Sequence, residues 1–372
     1  MRLVCGLPAS YKLIGWKIDS RERGHPCPLT FMMKDSNREV VLLLTHTGDF
    51  FTVDRVADAL TRRGARPFRF NTDLFPLEIK LSAKFTPNGL QHLIEQSDIT
   101  LDAEQVRAVW ARKIWTPLMD ENLAPQFHEM CVRESTAALY GFLDYFHSIR
   151  WINDPQRSTD AENKLRQLRV AADVGLIIPR TLTTNDACQA RAFFSELGGN
   201  MVAKLLRPLS ISMGAPGVFV YTSDVREEDL AEAEMLRHSS MVFQERISKA
   251  IELRIAYVDG KYFTGAIDAS RSATGQTDWR LSGPEECRWF EAEIPEEIAA
   301  RLRALMRKLD LVYGAIDLIR TPDGEHVFLE VNPGGEWGML ERDLDLPISE
   351  ALADALLKPS GDDNADSDNH QE

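Results

Sequence analysis

The fold prediction depends on residues 311–337, which read LVYGAIDLIRTPDGEHVFLEVNPGGEW. The apolar run Val312–Ile319 is rich in β-branched residues and predicts a strand. Residues 322–324 (PDG) predict a turn, because proline presets φ and glycine accepts a positive φ. His326–Val331 predicts the returning strand, so the stretch predicts two strands joined by a tight turn.

Three oxygen-bearing side chains interrupt these apolar strands. Asp317 lies in the middle of the first strand, and Glu330 and Asn332 end the second strand two residues apart, on one face. A buried carboxylate is costly unless it is paired or binds a metal, and this oxygen set suits Mg²⁺. The alternative is a strand pair whose acids face water. The glycines that follow in residues 332–335 (NPGG) favour a ligand site, since they allow close approach of the backbone.

Length, charge and cysteine spacing restrict the class of protein. A chain of 372 residues is long enough for two or three domains with their own cores. The net charge of −14 argues against a nucleic-acid partner. The cysteines are far apart and form no C-x-x-C motif, which argues against a disulfide framework or structural zinc and fits a reducing compartment. No apolar run has the length of a membrane span. We therefore expect a cytoplasmic protein without a membrane partner.

The chain from residue 39 onward begins with an α/β pattern. A continuous apolar strand at Val40–Leu44, a helix at Phe51–Arg63 and a strand at Pro67–Phe70 predict a parallel β-α-β unit. The dinucleotide fingerprint G-x-G-x-x-G is absent. The predicted N-terminal domain is completed by strands at Ile79–Phe85 and Val106–Ile114 and by a helix at Pro125–Arg150.

Two lysines stand in unusual positions. A helix is predicted at Ala161–Val174, with a capping box formed by Thr159 and Glu162, and Lys164 lies in its first turn. A cation is unfavourable at the positive end of a helix dipole unless it shares an anion. Lys204 lies inside an apolar strand, where it either reaches a phosphate in a cleft or extends its stem to the surface.

These features combine into one candidate phosphate site. Lys164 and Lys204 would contact phosphates, and the Asp-Glu-Asn set would hold Mg²⁺. Arg254 and Arg280 would lie where a γ-phosphoryl group meets an attacking carboxylate. The small-residue run at residues 210–217 is a candidate flap over the nucleotide.

The same residues carry a family resemblance. The segments that resemble the ATP-grasp superfamily are Gln244–Arg254, Tyr313–Asp317 and Phe328–Asn332. Those that resemble the ATP-grasp maturases of ribosomal peptides, the microviridin-type ligases or graspetide synthetases, are Trp110–Lys113, Ala161–Leu168 and Glu330–Trp337. This resemblance covers about residues 39 to 357. One departure is that Lys113 stands where the family usually has a second arginine, and the two cations differ in bidentate geometry.

The resemblance implies an α/β fold, an ATP-grasp fold with an N-terminal pre-ATP-grasp α/β domain. The resemblance implies three parts: 38–152, the pre-ATP-grasp domain; 153–240, a central domain with the nucleotide-binding lysines and the flap; and 241–358, the ATP-grasp lobe with the metal site. Residues 1–37 match nothing in the family and stay unassigned, as a disordered extension or an over-extended start. The acidic composition of residues 359–372, with almost no apolar residues, predicts a disordered tail.

The resemblance also implies the reaction and the roles of single residues. ATP, with two Mg²⁺ ions, phosphorylates an Asp or Glu side chain of a precursor peptide that has a leader and an acidic core. A hydroxyl or amine of the same peptide then forms a macrolactone or macrolactam. The implied nucleotide-binding residues are Lys164, Lys204, Gln244, Glu245, Ile247 and Glu252. The implied metal ligands are Asp317, Glu330 and Asn332, and the implied catalytic arginines are Arg254 and Arg280. Homodimers occur in the family, which makes a homodimer a possible state.

Two other functions use the same residues. A RimK-like ATP-grasp ligase would act on a small amino acid or peptide, and it would form ADP with free amino acids alone. A non-catalytic, nucleotide-gated peptide-binding protein would form no ADP with any peptide. The residues 332–337 (NPGGEW) argue against the first, and retention of the arginine at position 254 argues against the second.

Overall fold

The computed structural model describes residues 40–87, 89–206, 222–268 and 288–359, all within the unit Asn37–Glu372. The predicted N-terminal extension, the flap at residues 210–217, Arg280 and the acidic tail from residue 360 lie outside these ranges. None of the helices in the described ranges is long and apolar enough to cross a membrane.

The N-terminal β-α-β prediction is confirmed. Strand β1 (Val40–Thr45), helix α1 (Thr52–Arg62) and strand β2 (Arg66–Asn71) follow one another, and β1 pairs with β2 in parallel register. Every residue of β1 is buried because the strand is covered on both faces, which explains its unbroken apolar sequence. The helix is followed by Gly64 at φ +81°, a conformation that favours glycine.

A second, antiparallel sheet was only partly predicted. The predicted strand at Ile79–Phe85 exists as β3 (Ile79–Thr86), but it pairs with β4 (Gly89–Gln96), which in turn pairs with β5 (Ile99–Asp102). These strands form a separate sheet of three. Strands β4 and β5 were missed because their sequences mix polar and apolar residues; in β4 only His92 and Ile94 are buried.

The long helix predicted at Pro125–Arg150 is wrong at its C-terminal end. After strand β6 (Val106–Ala111), helix α2 runs over Pro125–Leu143, and strand β7 (Arg150–Ile152) then pairs with β6 in parallel. The apolar positions at the end of the predicted helix turn into the core through a short 3₁₀ segment. Arg150 is buried, and its Nε donates to the carbonyl oxygen of Ala355 at 3.2 Å, so this basic residue does not mark a helix end.

The helix predicted at Ala161–Val174 exists but begins three residues later, as α4 (Lys164–Asp173), and a separate helix that was not predicted, α3 (Pro155–Ala161), precedes it. The capping box is therefore wrong: Thr159 lies inside α3, where its hydroxyl donates to the carbonyl oxygen of Pro155 at 2.9 Å. The N-cap of α4 is Asn163, whose Oδ1 accepts from the backbone N–H of Arg166 at 3.1 Å. Lys164 stays in the first turn, as predicted.

A small antiparallel sheet follows, in the order β10-β9-β11-β8. Its elements are β8 (Thr181–Thr184), helix α5 (Ala187–Glu196), β9 (Met201–Lys204), β10 (Ser223–Asp224) and β11 (Met241–Glu245). The buried side chains of α5 and of a 3₁₀ segment at Glu228–His238 pack against Phe243 of β11 and Met201 of β9. One face of the sheet is therefore covered by α5 and the 3₁₀ segment, and Lys204 lies on the opposite face.

The C-terminal sheet has the order β14-β13-β12-β15-β16, and all neighbours are antiparallel. Its elements are β12 (Ile251–Val258), β13 (Lys261–Ile267), β14 (Phe290–Glu291), helix α6 (Glu296–Leu309), β15 (Tyr313–Arg320), β16 (His326–Asn332), helix α7 (Gly338–Leu344) and helix α8 (Ile348–Leu357). Both predicted hairpins are confirmed. Asp259 and Gly260 have φ of 49° and 91°, as a two-residue hairpin loop requires. Helix α7 was not predicted.

The N-terminal and C-terminal sheets share one core. Trp110 of β6, Val258 of β12 and Leu352 of α8 belong to the same buried cluster. The side chain of Asn153 links the two parts: its Nδ2 donates to the carbonyl oxygens of Tyr313 at 2.8 Å and Pro333 at 3.1 Å. These contacts hold the NPGG segment against the start of β15.

Candidate active site

A row of charged side chains crosses three strands of the C-terminal sheet. Arg254 of β12 lies opposite Asp317 of β15, and Asp317 lies opposite Glu330 of β16. Asn332 lies opposite Ala315, two residues further along β16, so it faces the same side of the sheet. The structure therefore brings together the three predicted oxygen ligands and one predicted arginine.

Close hydrogen bonds connect the members of this row. Arg254 Nη1 donates to both carboxylate oxygens of Asp317 at 2.8 Å, and its Nη2 donates to the carbonyl oxygen of Glu336 at 2.9 Å. Asn332 Nδ2 lies 3.1 Å from Glu330 Oε1 and 3.4 Å from Asp317 Oδ2. The guanidinium is thus held from two sides, which fixes its position in the sheet.

The two predicted lysines approach the row from other elements. Lys164 Nζ, at the start of α4, lies 3.0 Å from Glu330 Oε2. Lys204 Nζ, at the end of β9, donates to Gln244 Oε1 at 2.8 Å, and Gln244 Nε2 donates to Thr181 Oγ1 at 3.0 Å. The cationic ends of both lysines face the carboxylates of the C-terminal sheet.

The electrostatics of these groups are coupled. Burial lowers the pKa of Lys204; Lys164 and Lys249 lower it further, and the charge of Glu330 opposes the shift. Burial alone would raise the pKa of Glu330, but the charges of Lys164 and Lys204 and the hydrogen bond from Asn332 outweigh it, so this pKa lies well below its usual value. The cleft between the small sheet of β8 to β11 and the C-terminal sheet therefore holds ionised carboxylates next to clustered cations.

The remaining predicted nucleotide residues lie on the connection from β11 to β12. Glu245 ends β11, and its carboxylate accepts from Arg180 Nε at 3.1 Å, which lowers the pKa of Glu245. Ile247, two residues further on, is half-buried. Glu252 is the second residue of β12, and its Oε1 lies 2.7 Å from Lys249 Nζ. Arg280, the last predicted site residue, lies outside the described residues.

Two site residues were missed by the sequence analysis. Lys249 lies close enough to influence the pKa of Lys204, but it sits in a polar loop that carries no pattern. Gln167 of α4 is buried and clamps β16: its Nε2 donates to the carbonyl oxygen of Val331 at 2.7 Å, and its Oε1 accepts from the Val331 N–H at 3.0 Å. The only signal in the local sequence was that Gln167, a polar residue, follows Lys164 by about one helical turn.

Arg112 directly follows strand β6, and only 1% of its side chain is exposed. Nη1 donates to the carbonyl oxygen of Gly334 at 2.6 Å, and Nη2 pairs with the carboxylate of Glu336. Glu336 also accepts from the N–H groups of Trp337 at 3.2 Å and Gly338 at 3.0 Å. The anion held by Arg112 is therefore in the same chain.

The donor set fits Mg²⁺. Asp317 and Glu330 supply carboxylate oxygens, and rotation of the Asn332 amide would place Oδ1 where Nδ2 now contacts both carboxylates. No group of three or more His, Cys, Asp or Glu residues suited to a metal exists in the described ranges, so a metal held by this row would take its third ligand from the Asn332 amide. Arg254 and Lys164 balance the charge of these carboxylates.

Comparisons with known proteins agree on one kind of enzyme. A family model described as the MvdD pre-ATP grasp domain matches residues 40–159. The macrocyclase MdnB from Microcystis aeruginosa MRC is 50% identical, with a TM-score of 0.75 over 86% of this chain and 100% of that chain. The macrocyclase MdnC from the same organism, bound with precursor peptide MdnA, is 34% identical, with a TM-score of 0.77 over 85% of this chain and 99% of that chain.

A third similar structure comes from another organism. The RiPP-associated ATP-grasp ligase of Chryseobacterium gregarium, in complex with ADP and a leader and core peptide, is 30% identical, with a TM-score of 0.80 over 87% of this chain and 98% of that chain. A comparison with curated proteins gives no match.

Proposed function

This chain belongs to the ATP-grasp macrocyclases, which are ATP-dependent ligases, and we propose that it forms ester or amide crosslinks within a ribosomal precursor peptide that has a leader and an acidic core. The observation that carries this proposal is the row of Arg254, Asp317 and Glu330, faced by Lys164 and Lys204. Such a cleft pairs phosphate-binding cations with metal-binding carboxylates, as phosphoryl transfer requires.

The nucleotide would lie between the small sheet of β8 to β11 and the C-terminal sheet of β12 to β16. We assign phosphate binding to Lys164 and Lys204, the adenine hinge to Gln244, Glu245 and Ile247, and the ribose contact to Glu252. Asp317, Glu330 and Asn332 would hold Mg²⁺, for which we propose two ions, and the metal neutralises phosphate charge when it is bound. The present ion pairs support this assignment, because the cations suit phosphate oxygens and the carboxylates suit Mg²⁺.

The reaction has two steps. A carboxylate oxygen of an Asp or Glu side chain attacks the γ-phosphorus of ATP, ADP leaves, and an acyl phosphate forms on the peptide. A hydroxyl or amine of the same peptide then attacks the acyl carbon, phosphate leaves, and the nucleophile loses its proton. Arg254, held by Asp317 and the carbonyl of Glu336, would stabilise charge on the transferred group, and we assign Arg280 to the acyl phosphate.

We retain the predicted domain boundaries of 38–152, 153–240 and 241–358 as part of this proposal. The grouping of strands into sheets supports them: β1 to β7, β8 to β11, and β12 to β16 pair only within their own groups among the described strands. A cytoplasmic location and a homodimer are also proposed. Light scattering of the purified protein tests the dimer, and fractionation of the producing cells tests the location.

Peptide-dependent ADP formation tests the function. The substrate is a small acidic peptide encoded beside this gene, and the control protein is Asp317→Asn. We expect ADP release with the peptide and wild-type protein, no release with the variant, and no release with free amino acids. Turnover with free amino acids alone would support the RimK-like ligase. Absence of ADP with every peptide would support the non-catalytic binding protein.

A further inference from the structure

A pocket of about 270 Å³ lies beside the row of charged residues, where β1 and β6 end. This pocket, called the His46 pocket below, is bounded mainly by His46, Phe50, Phe51, Lys113, Trp115 and Glu336. The carboxyl ends of parallel strands are the usual place for ligand binding in an open α/β sheet. None of the nucleotide or metal residues assigned above lines this pocket.

One residue connects the His46 pocket to the row. Glu336 forms part of the pocket wall, and its backbone carbonyl accepts from Arg254 Nη2 at 2.9 Å. Arg254 in turn binds Asp317 through Nη1. One residue of the pocket wall is therefore in direct contact with the arginine assigned to the transferred phosphoryl group.

His46 offers a hydrogen-bond donor to this pocket. Its Nδ1 accepts from the Gly48 N–H at 3.1 Å, so in the neutral ring the proton is on Nε2. Burial lowers the pKa of His46, although Asp49 opposes the shift, and the ring stays neutral at pH 7. The ring stacks on Trp115 with centroids 4.0 Å apart. Among the described residues Nε2 has no hydrogen-bond partner, so it is a donor for a ligand and not a base.

Lys113 offers a charge to the same pocket. Its Nζ is 3.9 Å from Glu336 Oε2, which is longer than a hydrogen bond, and 36% of its side chain is exposed. The Glu336 carboxylate is already bound by Arg112 and by two backbone N–H groups. Asp49, the other acid of the pocket, accepts from Thr45 Oγ1 at 2.7 Å. The ammonium group of Lys113 can therefore bind a further anion.

The rest of the wall is aromatic. Phe50 and Phe51 are 64% and 39% exposed, which is high for rings of this size. Each ring lies next to an arginine, with Arg69 over Phe50 and Arg55 over Phe51. The pocket thus combines an apolar wall for a short aliphatic stem with two donors for the oxygen atoms at its end.

We propose that the His46 pocket binds the side-chain carboxylate of an acidic core residue of the precursor peptide, with Lys113 Nζ and His46 Nε2 as donors to the carboxylate oxygens. The inference rests on the proposed function, because it names the part of the substrate that this pocket holds. Lys113 supplies the charge, and the aromatic rings contact the methylene groups. The pocket selects carboxylates over amides, since an amide carries no charge and turns a donor toward the lysine.

The experiment measures binding of a minimal probe by saturation-transfer NMR. The probe is N-acetylglutamic acid α-amide, and its neutral counterpart is N-acetylglutamine amide. The proteins are the full-length wild type, Lys113→Met, and the control Lys84→Met, which removes an exposed lysine of β3. We expect the acidic probe to bind the wild type and the control equally and to bind Lys113→Met about tenfold or more weakly, as loss of a charged hydrogen bond implies. The neutral probe should bind weakly to all three.

A second pair of variants tests His46. His46→Phe keeps a ring over Trp115 but lacks the Nε2 donor, and we expect weaker binding of the acidic probe. His46→Gln supplies a donor amide, and we expect part of the affinity to return. Equal affinity of Lys113→Met and the wild type, equal affinity for the two probes, or no binding of the acidic probe would each overturn the proposal.

The two proposals fail in different ways. If the acidic probe binds through Lys113 but the wild-type protein crosslinks no peptide, the proposed function fails and the pocket assignment stands. If the peptide is crosslinked while Lys113→Met binds the probe like the wild type, the pocket assignment fails and the function stands.

Discussion

Replacement of Glu330 by glutamine removes one charge from the row and keeps the shape of the side chain. Glu330 Oε2 lies 3.0 Å from Lys164 Nζ, and the two side chains are 22% and 21% exposed. Loss of one partner of a fully buried ion pair costs about 3–5 kcal/mol. Because water reaches about a fifth of each side chain, we expect Glu330→Gln to lower the free energy of unfolding by less than this, about 2 kcal/mol. In a unit of this size that lowers Tm by roughly 4 °C.

The pH dependence of this difference has a defined sign. The folded-state pKa of Glu330 is held below its usual value, since the charges of Lys164 and Lys204 outweigh the effect of burial. Glu330 therefore stabilises the folded protein above its unfolded-state pKa of about 4.3, and this contribution is lost as the pH falls through the folded-state pKa. The Tm difference between wild type and Glu330→Gln should be constant from about pH 8 to pH 5 and shrink below about pH 4.3.

The assay is thermal unfolding followed by circular dichroism, with EDTA and without nucleotide. Glu325→Gln is the matched control, because Glu325 is exposed in the turn between β15 and β16; its effect should stay within about 0.5 kcal/mol. Lys164→Met combined with Glu330→Gln should be less destabilising than the sum of the single changes by about 1–2 kcal/mol. Equal Tm values for Glu330→Gln and wild type at pH 7.5, or additive single effects, would refute the ion pair as the source of stability.

Three further changes, one of them with a matched glycine control, test the row and its surroundings. Arg254→Lys cannot contact a carboxylate and a carbonyl together, so peptide-dependent ADP formation should fall about 100-fold while the affinity for ADP changes little. Arg112→Ala should lower the free energy of unfolding by about 3 kcal/mol in urea titration, because this buried guanidinium holds the NPGGEW segment. Gly335→Ala should cost about 2 kcal/mol, since an added Cβ would lie 2.5 Å from the Cβ of Ala315. Gly324→Ala, with φ +90° and no atom within 4 Å of the added Cβ, should cost only about 1 kcal/mol of backbone strain.

Each of these has a contrary outcome. If Arg254→Lys formed ADP with peptide at a rate within tenfold of the wild type, simultaneous contact of this side chain with the carboxylate and the carbonyl would not be needed. Arg112→Ala with wild-type stability would remove the structural role of the Arg112–Glu336 pair. A Gly335→Ala variant no less stable than Gly324→Ala would contradict the close approach of the NPGG backbone to β15.

The row was predictable because it depends on local patterns. A carboxylate inside an apolar strand is rare, and the period of two along β16 places Glu330 and Asn332 on one face. The turn residues between β15 and β16 then bring Asp317 opposite Glu330. The positions of these three oxygen-bearing residues in the sheet therefore follow from the sequence, although their hydrogen-bond partners do not.

Long-range contacts account for what the sequence analysis missed. Arg112 and Glu336 are 224 residues apart, and no periodic pattern connects them. The end of α2 at Leu143 depends on side chains that turn into the N-terminal core. Lys249 lies in the polar loop that connects β11 to β12. It comes close to Lys204 only because the fold places these two strands beside the site. These features depend on tertiary packing, which local propensity does not encode.

The central claim is ATP-dependent crosslinking of a peptide, and intact-mass spectrometry tests it most directly. A small acidic peptide encoded beside this gene is incubated with wild-type protein, ATP and Mg²⁺, in parallel with Asp317→Asn. The account predicts loss of one water mass for each crosslink with the wild type and an unchanged peptide with the variant. An unchanged peptide with folded wild-type protein that still forms ADP from ATP and free amino acids would contradict it.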